Sequence, residues 1–206
     1  MDAATFRHLA KVDPIMGQLI ERVGPSTFKP RSRRTPYESL VRAVANQQLS
    51  GKAADTILGR FIALFPEHPF PRPEDVAGMP DDRLRSAGFS RAKCVSIKDI
   101  AAKTLEGIVL DRRAMALLSD EEIIERLTAI RGVGQWTVEM LLIFTLGRPN
   151  VLPIHDLGVR KGFALIYKLE AMPTPKALFE HGRTWEPFRT TASWYLWRAL
   201  DQTVAI

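Results

Sequence analysis

Cysteine is almost absent from this chain: Cys94 is the only one in 206 residues. A single thiol closes no internal disulfide, and it cannot assemble the cysteine ligand sets that hold zinc or an iron–sulfur cluster. Long apolar runs are missing as well. Nothing approaches the ~18 consecutive apolar residues of a membrane span, and the polar opening Met1-Asp-Ala-Ala-Thr5 is not a secretory leader. The expectation is an intracellular protein without a membrane partner, in cytoplasm and nucleoid if bacterial and in the nucleus if eukaryotic. Alternating apolar and polar stretches, the mark of half-buried strands, are lacking. So are internal repeats and low-complexity tracts.

What remains is ordinary globular material, with 46% hydrophobic and 25% charged residues, enough to bury a good core. At this length the chain makes one domain or two small ones sharing a cleft. The formal net charge is +6 and the pI near 9.7, which favours an acidic partner, nucleic acid above all. A basic run, Lys29, Arg31, Arg33 and Arg34, either follows a phosphate backbone or is a solvated segment.

Helix signals recur throughout. Thr35-Pro36 is a cap and first-turn pair for a helix carrying Leu40, Val41, Val44 and Ala45 on one face. Ser50 caps a second helix that turns Ile57, Phe61 and Leu64 inward before Pro66 stops it. Five prolines between Phe65 and Pro80 leave a loop with at most one helical turn. Gly88 ends one helix and Ser90 caps the next, Arg91 to Leu105. Ser119-Asp-Glu-Glu122 reads as a capping box. Later helices are predicted at Leu157 to Leu169, Thr174 to His181 and Thr190 to Gln202. The fold class is all-α.

The most informative stretch is Leu127-Thr-Ala-Ile-Arg-Gly-Val-Gly-Gln-Trp-Thr-Val-Glu-Met140. It reads as a short helix, a hairpin of Gly132-Val133-Gly134, and a second helix from Gln135 to Leu146 ended by Gly147, with Pro149 beyond. Glycines let the backbone turn sharply and bring its amides, at the positive end of a helix dipole, against an anion such as a phosphate. The plain alternative is a tight helix connection. Further on, Leu152-Pro-Ile-His-Asp-Leu-Gly-Val159 sets Asp156 at a helix start, where it is either a chemical carboxylate or an N-cap. His155 beside it reads as structural or exposed.

Together, Ile130-Arg-Gly-Val-Gly-Gln-Trp-Thr137, Leu146-Gly-Arg-Pro-Asn-Val-Leu-Pro153 and Asp156-Leu-Gly-Val159 resemble the helix-hairpin-helix DNA glycosylases, most of all their alkylpurine, 3-methyladenine type. Ala45-Asn-Gln-Gln-Leu-Ser-Gly-Lys-Ala-Ala54 is similar to that family's strand-separating loop. The likeness runs from roughly Pro36 to Arg198. It implies excision of alkylated purines such as 3-methyladenine and 7-methylguanine from duplex DNA by a monomer, leaving an abasic site. It also implies a discontinuous architecture. Residues 37–148 would form a central bundle ending in the hairpin motif (about 127–146), residues 1–36 and 149–206 a second bundle, and the cleft between them would have Asp156 at its edge. With so short an N-terminal segment the β-domain of some relatives is expected to be missing, and the lone cysteine leaves no ligand set for the cluster of others.

The same resemblance assigns roles. Asp156 would be the catalytic carboxylate, stabilising the oxocarbenium-like sugar and orienting water. Trp136 and Trp197, with Tyr195, would line the pocket for the flipped base, where a cationic alkylpurine gains a cation–π contribution. Aromatic core packing is the alternative, because Trp194 and Trp197 share a helical face. Gln48, Leu49 and Gln47 would separate the strands, against the alternative of an incidental turn or, for Leu49, a core position. Gly132, Val133, Gly134 and Thr137 would hold phosphates. The carbonyls of Thr128, Ile130 and Val133 match positions that hold Na+ or K+ in relatives; no other cofactor is implied. Lyase-type relatives carry a lysine where Trp136 stands, so water rather than an amine would attack. Glu139 is expected to face solvent or pair with Arg131. Two further readings compete: a module that grips DNA without catalysis, and a glycosylase/lyase for oxidised bases.

Overall fold

A computed structural model describes residues 3–31 and 33–201. The predicted helix end at Gln202 lies outside them. The described residues form helices and loops, with no strand among them. In chain order the elements are α1 (Ala3–Val12), α2 (Pro14–Val23), α3 (Pro36–Asn46), α4 (Gly51–Ala63), α5 (Pro73–Ala77), α6 (Asp81–Ser86) and α7 (Arg91–Leu105). There follow α8 (Arg112–Met115), α9 (Asp120–Thr128) and α10 (Gln135–Leu141), which runs on as a π-helical turn, Leu142–Leu146. The last are α11 (Leu157–Ile166), α12 (Pro175–Gly182), a 3₁₀ turn (Arg183–Trp185) and α13 (Arg189–Arg198).

Two compact units result, one from Met1–Pro30 with Gly147–Ile206, the other from Arg31–Leu146. The capping chemistry explains most boundaries. Thr35, Ser50, Ser90, Ser119 and Thr174 each accept a backbone N–H from the first turn of the helix that follows, and Ser119 with Glu122 closes a reciprocal capping box. The proline-rich segment yields only the five-residue α5. Two helices that periodicity did not single out, α1 and α2, open the chain, and Asp13-Pro14 is their local signal: Asp13 accepts from the Met16 amide at 3.0 Å and Pro14 occupies the first turn.

The discontinuous unit is built around Leu9, Met16, Leu19, Val159, Leu178, Trp185, Tyr195 and Leu196. The nearly sealed Asp13 lies at one side of this core, accepting from Trp185 Nε1 (2.8 Å) and from the Tyr167 hydroxyl, with His181 Nε2 at 3.0 Å. Burial alone raises its carboxyl, but the contacts to His181, Tyr167, the Met16 amide and Trp185 outweigh burial and hold it far below the usual carboxylate range. The central unit packs α3, α4, α7, α9 and α10 around Leu40, Phe61, Ile97, Ile100, Ile123 and Val138, all sealed from solvent. On α4 the inward face is Ala54, Leu58 and Phe61, so Leu58 takes the place expected of Ile57.

Candidate active site

In the discontinuous unit, Asp156 ends an irregular segment and caps α11. Its Oδ1 accepts the Val159 amide at 2.8 Å, and the same oxygen accepts Trp197 Nε1 from α13, also at 2.8 Å. The carboxylate is only 9% exposed. The N-cap reading of Asp156 is therefore met, and an indole N–H pins the rotamer of the same carboxylate. Glycine makes the approach possible. A Cβ on Gly158 would stand 2.8 Å from Trp197 Cδ1 and 3.1 Å from Asp156 Oδ1; one on Gly162 would stand 2.0 Å from the Leu196 carbonyl oxygen. Both glycines thus keep the α11 surface bare where α13 presses on it.

Trp197, expected as a wall for a base, is here a hydrogen-bond donor to Asp156 and half-buried. Trp194 packs under the Arg198 guanidinium, 5.6 Å from its ring centroid. Tyr195 requires correction. It is fully sealed in the core, and its hydroxyl donates to the Gly24 carbonyl at 2.9 Å, so it presents no face to a ligand. At i and i+2 of a helix, Trp197 and Tyr195 cannot point the same way. His155 is exposed.

The central unit carries the hairpin. Gly132 adopts φ +78°, the left-handed region that favours glycine, and a Cβ there would meet Ser96 Oγ at 2.2 Å. Gly134, by contrast, has ordinary φ (−92°) and open space around it; it caps α10 without a side chain. Val133 is buried, and its amide donates to the Ile130 carbonyl at 3.1 Å. Thr137 is 3% exposed, so its hydroxyl is withdrawn from the outer face of the hairpin. Glu139 corrects another expectation: it is buried and accepts from Gln135 Nε2 at 3.0 Å instead of facing solvent. Asp99, not Glu139, serves Arg131, accepting its amide at 2.7 Å. Among the described residues no cluster of His, Cys, Asp or Glu side chains could hold a metal ion.

The glutamine-rich loop begins where α3 ends. Gln47 turns inward and donates from Nε2 to the Gly132 carbonyl at 3.1 Å, tying the loop to the hairpin. Gln48, in left-handed conformation (φ 57°), and Leu49, 39% exposed, form the tip. Leu49 is therefore no core residue. Gln47 and Gln48 join Trp136 and Thr137 along a groove of about 660 Å³. Trp136 is 44% exposed there.

Two members of the basic run, Arg31 and Arg34, wall this groove, while Ser39, Arg42, Phe144 and Thr145 beside them escaped the sequence reading. Arg31 lies over the Phe144 ring, 5.8 Å from its centroid; Arg34 and Arg42 stand nearby, with Ser39 bonded to the Thr145 hydroxyl at 2.9 Å. Burial, then the neighbouring Arg31 and Arg42 charges, lower the Arg34 pKa, the signature of cations crowded together. Arg112 gathers this wall by donating to the carbonyls of Arg31 and Arg34, each at 3.3 Å, and to that of Thr145. Phe144 and Thr145 lie on the π-helical turn, which shifts their register away from any 3.6-residue pattern.

Residues 41–187 match the model of the HhH-GPD superfamily of base excision DNA repair proteins, and the chain belongs to that family. It is 42% identical over 194 residues to DNA-3-methyladenine glycosylase 1 of Schizosaccharomyces pombe, an alignment covering 93% of this chain and 84% of that protein. Its structure is similar to that of a 3-methyladenine DNA glycosylase of the same yeast in complex with abasic DNA, with TM-score 0.86, 41% identity and coverage of 95% and 96% of the two chains. It is also similar to a DNA-3-methyladenine glycosidase of Bacillus halodurans, with TM-score 0.87, 34% identity and coverage of 98% and 91%.

Proposed function

We propose that this protein is a monofunctional DNA glycosylase that flips alkylated purines, 3-methyladenine and 7-methylguanine among them, out of duplex DNA and removes them by hydrolysis. An abasic site remains, as the first step of base excision repair. The observation that carries the reading is Asp156, a carboxylate held in one rotamer by the Val159 amide and the Trp197 indole, in a chain whose relatives bear that activity in their names.

The chemistry fits this site. N3- or N7-alkylation makes the purine cationic, so it leaves without strong acid catalysis. What the reaction lacks in water is an ordered negative charge beside the sugar as oxocarbenium character develops, and Asp156 supplies it at no cost of reorganisation. Trp136 offers an exposed π-face for a cationic ring and no amine for attack on C1′. Gln48 and Leu49, at the exposed loop tip, would fill the gap left by the extruded nucleotide. The hairpin would meet phosphates through the backbone amides of Gly132 and Gly134, those of Arg131 and Val133 being taken by Asp99 and the Ile130 carbonyl. The carbonyls of Thr128, Ile130 and Val133 would ligate a monovalent cation there; Ile130 already accepts one amide, which leaves a carbonyl lone pair for such an ion.

The deciding experiment is chromatography of the bases released from methylated duplex DNA. Wild type releases methylated purines and leaves a strand that breaks only after alkali or heat. Asp156→Asn retains DNA affinity and loses excision by ~10²-fold or more, the scale of removing a transition-state partner. Excision within about tenfold of wild type would remove Asp156 from the catalytic role. Efficient borohydride trapping of a protein–DNA adduct would overturn the hydrolytic assignment.

A further inference from the structure

Helix α7 carries three polar residues along one flank, Lys93, Ser96 and Asp99, each turned toward a different part of the two segments assigned to DNA. Lys93 Nζ donates to the Ala45 carbonyl at 2.8 Å and to the Gln47 carbonyl at 2.7 Å, at the point where α3 becomes the glutamine-rich loop. Ser96 lies against Gly132 so closely that no side chain fits between them. Asp99 Oδ2 accepts the Arg131 amide at 2.7 Å. Gln47 Nε2, donating to the Gly132 carbonyl, closes the circuit from loop to hairpin.

We propose that this flank of α7 is a positioning element for base extrusion, and that Lys93 is its principal residue. Resting on the reading of Gln48 and Leu49 as the strand-separating tip and of residues 131–134 as the phosphate grip, the proposal is that α7 fixes one against the other. The physical need is plain. A wedge works only if its tip enters the stack at a set height above the phosphates that the hairpin holds, and a displacement near 1 Å in such a constellation costs rate. A left-handed Gln48 is a strained conformation for a residue with a Cβ and persists only when its surroundings over-determine it. Lys93 does so from behind. Its ammonium satisfies two carbonyls that the end of α3 leaves exposed and adds a positive charge at a helix C-terminus. Burial lowers the Lys93 pKa, in keeping with an ammonium turned inward to serve the backbone. Lys93 is not a catalytic residue: its bonds are to the chain and not to DNA.

The test compares Lys93→Met and Lys93→Arg with wild type on two duplexes, one with 7-methylguanine paired to cytosine and one with the same lesion opposite an abasic gap. Positioning predicts that Lys93→Met binds undamaged duplex within about twofold of wild type, because the hairpin grip is intact. Single-turnover excision from the paired duplex should fall by ~10-fold, with a matching loss of 2-aminopurine emission from a base beside the lesion. The defect should shrink opposite the gap, where little extrusion work remains, and Lys93→Arg should restore much of the rate. Equal loss on both duplexes, or no loss on the paired one, would overturn the proposal. If Lys93→Met melts too low for assay, Lys93→Gln, which keeps most of the stem but not the ammonium, must give the same paired-duplex defect or the proposal fails. A Gln48→Ala, Leu49→Ala double variant separates the two levels. If it excises normally, the wedge reading itself is wrong; if it is slow while Lys93→Met is not, only the role of α7 is wrong.

Discussion

At the scale of single residues, the decisive feature is how Asp156 is held. An aspartate at a helix start is a cap in most proteins, and Asp156 is one, yet the indole of Trp197 reaches the same oxygen. That reach depends on Gly158. Gly158→Ala would place a methyl 2.8 Å from the indole, displacing Trp197 and loosening the carboxylate while leaving the cap from the Val159 amide. The expected outcome is a folded protein whose single-turnover excision drops by ~10-fold or more with little change in duplex affinity. Rates and binding measured side by side check this, and excision at the wild-type level would show that Trp197 does not position Asp156.

At the scale of elements, the two hairpin glycines separate into different roles. Gly132 is required by the fold, through φ +78° and the contact with Ser96, so Gly132→Ala strains the chain whether or not DNA is present. Gly134 has ordinary backbone and open space, so a side chain there leaves the free protein unperturbed. Gly134→Leu should keep the melting temperature within a degree or two and weaken binding to all duplexes alike. Unchanged affinity would remove the hairpin as the DNA grip. Packing of α11 on α13 is tighter still, because a Cβ on Gly162 would stand 2.0 Å from the Leu196 carbonyl. Gly162→Ala should destabilise by about 1–3 kcal/mol or more, read by denaturant unfolding.

The buried cap of α2 gives these elements a pH dependence. Asp13 is held below its ordinary range by His181, Tyr167, the Met16 amide and Trp185 acting against burial. A carboxyl whose folded pKa is depressed contributes stability that is fully present above its unfolded pKa, about 3.9, and is withdrawn as pH falls through the folded value. Wild type should therefore exceed Asp13→Asn in stability at neutral pH by roughly 1–3 kcal/mol, and the gap should narrow as the solution is taken below pH ~4. A gap independent of pH would mean that the network is held by shape and not by charge.

For the molecule as a whole, charge sets the behaviour. A net +6, with Arg31, Arg34 and Arg42 along one groove, matches a polyanion whose contacts are mostly to phosphates. Affinity for undamaged duplex should be independent of sequence and should fall by on the order of 10²-fold or more between about 50 and 200 mM salt. A shallow salt dependence would point to base contacts in place of phosphate contacts.

Local chemistry decided what local sequence can decide. Caps such as Thr35, Ser90 and the Ser119–Glu122 box mark helix starts because a side-chain oxygen three residues from an amide needs no tertiary partner. The glycine hairpin and the capping aspartate were legible for the same reason, whereas Trp136 and the glutamine-rich loop were marked only by the family they resemble. Tertiary structure alone decided which way the aromatic and charged residues turn. Tyr195 goes into the core and Trp197 to Asp156 because a helix has two sides, and only packing chooses between them. Glu139 is buried, and Asp99 comes from 32 residues away to receive the Arg131 amide, a pairing that no periodicity carries. The arginine wall and the π-helical turn with Phe144 depend on contacts such as Arg112 to Thr145, distant in sequence. Sequence, then, specified the helices and the chemical groups, whose interactions are short-range. The fold specified their mutual distances, because those arise from side chains that meet only when separate helices pack.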